Sequence, residues 1–455
     1  MAKVVIYGAL DDDFNEELWR TDGTAAGTVE ITAGLNAGHG GINPRYLTVL
    51  GDQLFFEGTN ARGEFGLWVT DGTAKRTHEI TGIHKANPEG LDPGYFTAYR
   101  HHLLFRGEAG VSGNEVPGLW ITDGTAKGTI EIGGVGNKGI ADAYSGGLLP
   151  SDPNFTVFGH TVLFNGRDKA GNIGLWETDG TAKGTHELAP IKGAFKVGNP
   201  GSDIQPRDFA VLGKKALFAG ADQQDTPGSL WMTDGTAKGT VEIGGQGNDA
   251  IKGSPNGFHH QFTSELPMGI QPEGLTTFGK KVLFAGYDDT LNSSGHYART
   301  DALWISDGTA KGTVEIGGRG NRGIHGANGA QDGGLFWSGS IAYPDFTVLH
   351  GKVLFVGYDS SGHVGLWVTN GTAKGTHEVG GLGNAGVHGG LRLDGSSNPD
   401  FTVYGDVAVF HAYDGNNHSG LWVTDGTAAG THEIATPDFG IPNAVEGPDF
   451  TVFNL

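Results

Sequence analysis

An aspartate opens the loop between two short apolar segments at many places along the chain. An aspartate at such a place is typical of a hairpin turn, in which its side chain accepts backbone N–H bonds. Carboxylates combined with loop carbonyls also suit Ca²⁺, so the sequence leaves a turn and a calcium site as open interpretations. The five aspartates that would be the calcium ligands are Asp168, Asp222, Asp288, Asp359 and Asp414.

A second set of candidate ligand-binding residues lies in glycine-rich or long loops. The pattern Gly-Gly-x-Gly-Asn-x-Gly-Ile/Val, or a close variant, occupies 133–140, 244–251, 317–324 and 380–387. It partly resembles the calcium-binding nonapeptide of exported repeat toxins, but the aspartate of that motif appears only as Asp249. Flexible loops without a ligand are the alternative. The residues that we single out for ligand binding are His39, His84, His325, His388, Trp337, His296, Tyr297 and Arg299.

The elements that position these loops are set by a motif, Leu-Trp-x-x-Asp-Gly-Thr-x-x-Gly-Thr, that recurs eight times. A recurrence at about fifty to seventy residues indicates an array of one supersecondary unit. The motif tryptophans are Trp19, Trp68, Trp120, Trp176, Trp231, Trp304, Trp367 and Trp422. We expect these rings to pack between neighbouring units, where a large aromatic surface is buried.

Each unit predicts four short strands. Strand A carries Phe-Thr-Val or a looser version of it, and strand B is an apolar stretch such as 282–286. Strand C holds Leu-Trp, and an Asp-Gly turn leads to strand D, Thr-x-Glu-Ile. Strands A and B are nearly continuously apolar, which predicts burial on both faces. Histidine occupies the position before the strand D glutamate in four copies and valine or isoleucine in the other four, which predicts a packing position. Four-stranded meanders repeated in this way predict a β-propeller.

The two ends of the chain predict how the array closes. The N-terminal segment begins at strand B, and the C-terminal segment, Phe450 to Leu455, has only strand A. Joining them leaves no open sheet edge. We therefore predict an all-β fold, a single eight-bladed propeller over 1–455 with four-stranded antiparallel blades, its ring closed by the C-terminal strand. The predicted blades are 448–455 with 1–31, 44–80, 93–132, 153–188, 206–243, 272–316, 344–379 and 399–434.

The repeated motif resembles that of the bacterial ELWxxDGT repeat family over the full length of the chain. The leading glutamate survives only as Glu17, and Asn370 replaces the aspartate in the seventh copy. The resemblance implies a repeat module of bacterial proteins that are often exported or surface-associated. It implies no catalytic residues.

Composition limits the partners. The formal net charge is −21, which argues against nucleic acid because phosphate binding needs clustered Lys and Arg. No apolar run is long enough for membrane insertion. Cysteine is absent, which excludes a thiol nucleophile. The N-terminal stretch has no signal-peptide core, so we expect an extracellular or surface location by a leaderless route, with the cytoplasm as the alternative.

Three functions remain open at this point. Because successive strands run in opposite directions, the B–C and D–A loops lie on one face and the uniform A–B and C–D turns lie on the other. Because binding residues usually lie on variable loops, we predict a non-enzymatic propeller that recognises a glycan or protein on the loop-rich face. The alternatives are a polysaccharide hydrolase or lyase with a site at the channel mouth, and a structural protein that associates with itself.

Overall fold

The fold is described from a computed structural model. No helix among the residues that it describes is both long and apolar enough to cross a membrane. The described residues are 3–11, 13–22, 24, 26–32, 35, 40–111, 114–192, 194, 204–221, 228–245, 248, 250–252, 270–288, 301–318, 320–327, 335–336, 344–393, 399–434 and 450–454.

The chain forms eight four-stranded antiparallel sheets, which are the blades of an eight-bladed β-propeller. Within each blade the strands follow one another in the order A, B, C, D, as the repeat predicts. The blades group into two compact units, 1–187 with 434–455, and 188–433, and each unit is described by itself. We number the blades by their motif tryptophans, so that blade 1 contains Trp19 and blade 8 contains Trp422.

The first unit holds blades 1 to 4. Short 3-10 turns lie at Ala74–Arg76 and Val135–Asn137. Its strands are β1 (Lys3–Leu10), β2 (Glu16–Thr21), β3 (Val29–Glu30), β4 (Arg45–Leu50), β5 (Gln53–Thr59), β6 (Phe65–Thr70), β7 (His78–Glu79), β8 (Gly94–Tyr99), β9 (His102–Val111), β10 (Asn114–Thr122), β11 (Ile130–Glu131), β12 (Thr156–Phe158), β13 (Thr161–Arg167), β14 (Ile173–Thr178), β15 (His186–Glu187) and, from the C-terminus, β32 (Thr451–Asn454).

The second unit holds blades 5 to 8, with 3-10 turns at Ala373–Gly375 and Leu382–Asn384. Its strands are β16 (Arg207–Leu212), β17 (Lys215–Gly220), β18 (Ser229–Thr233), β19 (Val241–Glu242), β20 (Glu273–Phe278), β21 (Lys281–Tyr287), β22 (Asp301–Ser306), β23 (Val314–Glu315), β24 (Thr347–Leu349), β25 (Lys352–Tyr358), β26 (Val364–Thr369), β27 (His377–Glu378), β28 (Thr402–Tyr404), β29 (Val407–Tyr413), β30 (Ser419–Thr424) and β31 (His432–Glu433).

The two ends of the chain share blade 1, which confirms the predicted closure. Strand β32 pairs antiparallel with β1, from Lys3 opposite Asn454 to Ile6 opposite Thr451. Phe453 is buried in the core between blades 1 and 2. The C-terminal strand therefore supplies strand A of the blade that the N-terminal segment begins.

The motif tryptophans pack against the preceding blade. In blades 2, 3, 4, 6, 7 and 8 the ring belongs to a buried cluster that also contains strand residues of the blade before it. Trp367, for example, is fully buried with Leu283 and Leu303 of blade 6. Burying one such side chain stabilises the fold by about 1.5–3 kcal/mol. The prediction that these rings lie between blades is confirmed for these six blades, and for Trp19 and Trp231 it stays a prediction.

In blades 2, 3, 4, 5 and 7 the ring lies against a glycine of the neighbouring strand B, whereas blade 8 has Ala412 at that position. A Cβ built on Gly166 would lie 2.6 Å from Trp176, and one on Gly58 would lie 2.8 Å from Trp68. The Trp68 indole N–H also donates to the carbonyl oxygen of Gly58, at 3.0 Å. The apolar stretch of strand B therefore ends in glycine because an aromatic ring occupies the space of its side chain.

The C–D turn satisfies its own polar groups, as blade 3 illustrates. The Asp123 carboxylate accepts bonds from the backbone N–H and the hydroxyl of Thr125, at 2.9 and 2.7 Å. The buried hydroxyls of Thr122 and Thr129 lie 2.7 Å apart and link the two strands. Gly128 faces the Asp123 carboxylate so closely that a Cβ would overlap it, at 2.0 Å. Asn370 makes the same bonds in blade 7, so the amide preserves the turn.

The same turn rests on the preceding blade. The Cα of Gly371, at a φ of +82°, faces Ile305 of blade 6, and an added Cβ would lie 3.0 Å from that side chain. The following alanine, Ala373, packs against the same buried cluster. The Asp-Gly-Thr-Ala sequence is therefore both a hairpin turn and a contact between blades.

Two local predictions are wrong. Strand A is only half-buried in most blades, whereas strand B is buried on both faces, because strand A has a neighbour on one side only. The position before the strand D glutamate is exposed instead of packed. Ile130 is 51% and Val241 41% exposed there, because strand D is the other edge of each sheet.

We predict that Gly166→Ala lowers the free energy of unfolding by about 1–3 kcal/mol, because the new methyl group overlaps the Trp176 ring. Chemical denaturation monitored by tryptophan fluorescence measures the change. Gly415→Ala is the matched control, since its Cβ would have no neighbour closer than 3.5 Å. Equal stabilities of the two variants would contradict the assigned role of the glycine.

Candidate functional site

The aspartates that open the B–C loops cap hairpin turns. In blade 7 the Asp359 Oδ1 accepts the backbone N–H bonds of Ser361 and His363, at 2.8 and 2.9 Å. Asp168 and Asp414 accept the equivalent bonds in blades 4 and 8. In blade 2 an amide, Asn60, has the same two bonds. The turn interpretation explains why this position is aspartate or asparagine.

The calcium interpretation of these residues stays a prediction. Asp168, Asp359 and Asp414 lie in different blades, and Asp288 is buried in blade 6. Asp222 lies outside the described residues. Among the residues that the structure describes, none of the four belongs to a group of three His, Cys, Asp or Glu side chains within ligand distance of one another.

The glycine-rich D–A loops are held by a buried asparagine. Asn137 is fully buried, and its Oδ1 accepts the N–H of Leu119 in strand C, at 3.1 Å. Its Nδ2 donates to the carbonyl oxygens of Leu119 and Ile132, at 3.3 and 2.7 Å. The side chain thus joins the backbone of strand C to the end of strand D. Asn248, Asn321 and Asn384 repeat this arrangement.

The strand D glutamate caps the same loop. The Glu131 Oε1 accepts the backbone N–H of Asn137 at 3.2 Å, and Glu378 accepts those of Gly383 and Asn384. Burial raises the pKa of Glu131 to about 7. The recurring Glu and the Gly-Asn pattern are therefore one structural device, and the glycines at positive φ allow its tight turn.

Three of the eight predicted ligand-binding side chains lie within the described residues, each in the loop after a different blade. His84, His325 and His388 are exposed on the D–A loops that follow blades 2, 6 and 7. No metal-ligating group of described residues includes any of them. His39, His296, Tyr297, Arg299 and Trp337 lie outside the described residues. The ligand-binding role of all eight stays a prediction.

Blade 1 contains a group of carboxylates that fits a cation. Oxygen atoms of Asp11, Glu17 and Glu30 all lie within 4.8 Å of one another. Asp11 follows strand β1 and is fixed by N–H bonds from Asp13 and Asn15, both at 2.8 Å. Glu17 lies in β2 and Glu30 ends β3, so three neighbouring parts of one blade contribute.

The group exists because blade 1 departs from the repeat. Five other blades have glycine at the position of Glu17, and the strand D glutamate lies across it. A Cβ on Gly118 would lie 2.3 Å from Glu131, and one on Gly174 would lie 2.3 Å from Glu187. In blade 1 a second glutamate occupies this space. Blade 1 thus places three carboxylates in a region where those blades place one or two.

The environment of Glu17 disfavours its ionised form. The side chain is 7% exposed, and burial raises its pKa to about 7, with further contributions from the charges of Glu30 and Asp11. The Thr32 hydroxyl donates to Glu17 Oε2 at 2.5 Å, which acts in the opposite direction. Such a group is only partly ionised at neutral pH, and a nearby positive charge favours its ionised form.

In the sequence, the leading glutamate of the motif survives only as Glu17, and Glu30 is the strand D glutamate of the same blade. The glutamate at position 17, where five other blades have glycine, was the sequence signal that could have revealed the group. Seeing that the three converge requires the pairing of β1 with β2 and β2 with β3.

No family model matches the chain, and no curated protein is significantly similar to it. Solved propellers do match. The β-propeller domain of the Trilobed protease from Pyrococcus furiosus is 12% identical with a TM-score of 0.42, over 88% of this chain and 98% of that chain. Pyrococcus horikoshii acylaminoacyl peptidase is 11% identical with a TM-score of 0.41, over 91% and 56%. A prolyl endopeptidase is 9% identical with a TM-score of 0.44, over 85% and 47%.

These matches correct the predicted function. The sequence predicted a non-enzymatic propeller that recognises a glycan or protein, whereas the similar propellers belong to a protease and to peptidases. That prediction is therefore wrong. The chain spans about half the length of the two peptidases, 56% and 47%, and at these identities the likeness shows the fold alone.

Proposed function

We propose that the protein is a calcium-binding propeller whose ion is held in blade 1 by Asp11, Glu17 and Glu30. The observation that carries the proposal is the approach of the three carboxylates to within 4.8 Å of one another. Like charges at this distance repel, and a divalent cation between them removes the repulsion.

The ligand chemistry favours calcium over the transition metals. All three side chains offer carboxylate oxygens, which hard cations prefer, whereas Zn²⁺ is usually bound by nitrogen or sulfur ligands. Calcium accepts roughly six to eight oxygens in flexible geometry, so water can complete the shell. The two hydrogen bonds that fix Asp11 and the one from Thr32 to Glu17 hold two of the ligands in place beforehand.

Calcium binding would also fit the cellular setting that the sequence suggests. We propose that the chain is a member of the ELWxxDGT repeat family and acts outside the cell or at its surface. Support comes from the eight motif copies, each of which builds strand C and its turn. Weak calcium sites, with dissociation constants of about 10⁻⁴–10⁻³ M, are typical of extracellular modules.

We predict that Ca²⁺ at about 100-fold over its dissociation constant raises the free energy of unfolding by about 2.7 kcal/mol. Thermal unfolding with and without Ca²⁺, and calorimetric titration, measure the effect. Glu30→Gln should abolish it. Asp168→Asn is the matched control, because an amide serves the equivalent turn at Asn60. Loss of calcium binding in the control, with retention in Glu30→Gln, would place the ion in the B–C loops instead.

We predict that calcium binding strengthens as pH rises through 7, because the ion must displace the proton of Glu17. In chelator, the raised pKa of this buried group has the opposite effect on stability. Its contribution is fully present below about 4.5 and is lost as pH rises through about 7. Melting temperatures in chelator between pH 5 and pH 8 therefore fall less in Glu17→Gln than in the native protein. An identical pH dependence in both proteins argues against this role of Glu17.

A further inference from the structure

The turn face of blades 5, 6 and 7 carries a cluster of lysines, although the chain as a whole is strongly acidic. We call it the lysine patch. The A–B and C–D turns of these three blades contain eight lysines and only two aspartates, Asp234 and Asp307. The lysines are Lys214, Lys215, Lys238, Lys280, Lys281, Lys311, Lys352 and Lys374.

The patch is a local property and not a consequence of the repeat. The equivalent turns of blades 2, 3 and 4 contain five Lys or Arg residues and four aspartates, so their charges nearly balance. Two kinds of sequence change produce part of the difference in charge between the two sets of turns. The A–B turns of blades 5 and 6 have paired lysines, and Asn370 replaces an aspartate in blade 7 without loss of the turn.

Contacts between blades bring these turns together. The C–D turn of blade 6 rests on blade 5, where a Cβ on Gly308 would lie 3.9 Å from Leu212, the residue that begins the A–B turn. The C–D turn of blade 7 rests likewise on blade 6, where a Cβ on Gly371 would lie 3.6 Å from Phe278. The Thr277 hydroxyl donates to the carbonyl oxygen of Val211, at 2.7 Å. The lysines of blades 5 to 7 therefore form one continuous surface.

Seven lysines of the patch are exposed and available to a partner. Lys352 is half-buried, and its charge interacts with that of Asp425 in the C–D turn of blade 8. None forms a salt bridge with a carboxylate of the described residues, in contrast to Arg76 of blade 2, whose Nε lies 3.5 Å from Asp71. The two aspartates of the patch are engaged by the threonines of their own turns.

We propose that the lysine patch docks this face of the protein on an anionic lipid surface. The charges lie on both the A–B and the C–D turns of three blades. They are therefore spread over a broad surface and do not follow a single groove. All eight are lysines, which act as hydrated point charges, whereas specific recognition of single phosphate groups favours arginine with its paired donors. Such an array fits a fluid surface of many headgroups.

The net charge of −21 does not oppose this docking. At physiological ionic strength the Debye length is about 8 Å, so acids elsewhere on the chain are screened from a surface that meets the patch. The docking involves charge only and no insertion of the chain into the bilayer. It is also separate from the calcium proposal, whose ligands lie in blade 1.

Sedimentation with lipid vesicles in chelator tests the proposal. We expect the protein to bind phosphatidylcholine vesicles that contain phosphatidylserine and not vesicles of phosphatidylcholine alone, with binding that weakens as salt is added. A lysine near an anionic membrane contributes about fivefold to the partition coefficient, so the triple variant Lys214→Ala, Lys280→Ala, Lys311→Ala should bind on the order of a hundredfold more weakly.

The matched control is the triple variant Lys75→Ala, Lys127→Ala, Lys183→Ala, which removes lysines from the C–D turns of blades 2 to 4. It should bind as the native protein does, and equal melting temperatures of both variants exclude unfolding. Equal weakening in the two variants, or no preference for phosphatidylserine, overturns the proposal. Binding to a heparin column without binding to vesicles overturns it as well, in favour of an anionic polymer.

Discussion

Burial of an aromatic ring between neighbouring sheets is the interaction on which this fold depends. The ring of Trp176 lies over Gly166 in its own blade and belongs to a core shared with Leu104 and Leu119 of the blade before it. Because these rings pack against the preceding blade, a single blade cannot bury its core alone. Blade 1 needs strand A from the other end of the chain, and the pairing of β32 with β1 supplies it.

Most of the recurring polar residues serve the same scaffold. The Asp-Gly-Thr turn uses its own hydroxyls and carboxylate, and the buried Asn137 and its counterparts add side-chain bonds to the backbone pairing between strands C and D. A polar group that is buried without a partner costs about 1–3 kcal/mol, so these bonds explain why the motif recurs. Chemistry that is specific to this protein therefore belongs to the places where a blade departs from the repeat.

The sequence predicts the fold in detail because the repeat period, the order of the strands and the strand content of the two chain ends can all be read directly along the chain. It predicts the site poorly, because Asp11, Glu17 and Glu30 become neighbours only through sheet pairing. Burial was also misjudged where it depends on position in the sheet. Ile130 is apolar yet exposed, since strand D is an edge of the sheet. Strand A is apolar yet only half-buried, since it is the other edge. Composition alone could not show that lysines gather on three blades.

The two places where blades depart from the repeat, the carboxylate group of blade 1 and the lysine patch, carry opposite charges. Blade 1 adds Glu17 to a strand D glutamate and Asp11, and burial raises the pKa of Glu17 to about 7, so a cation that replaces its proton suits the group. Blades 5 to 7 add lysines and lose the aspartate at position 370, so an anionic surface suits them. Asn370 keeps the bonds of its turn, and Trp68 and Trp367 lie in buried clusters. A repeat that satisfies its own polar groups thus leaves individual turns and strand ends free to acquire charge.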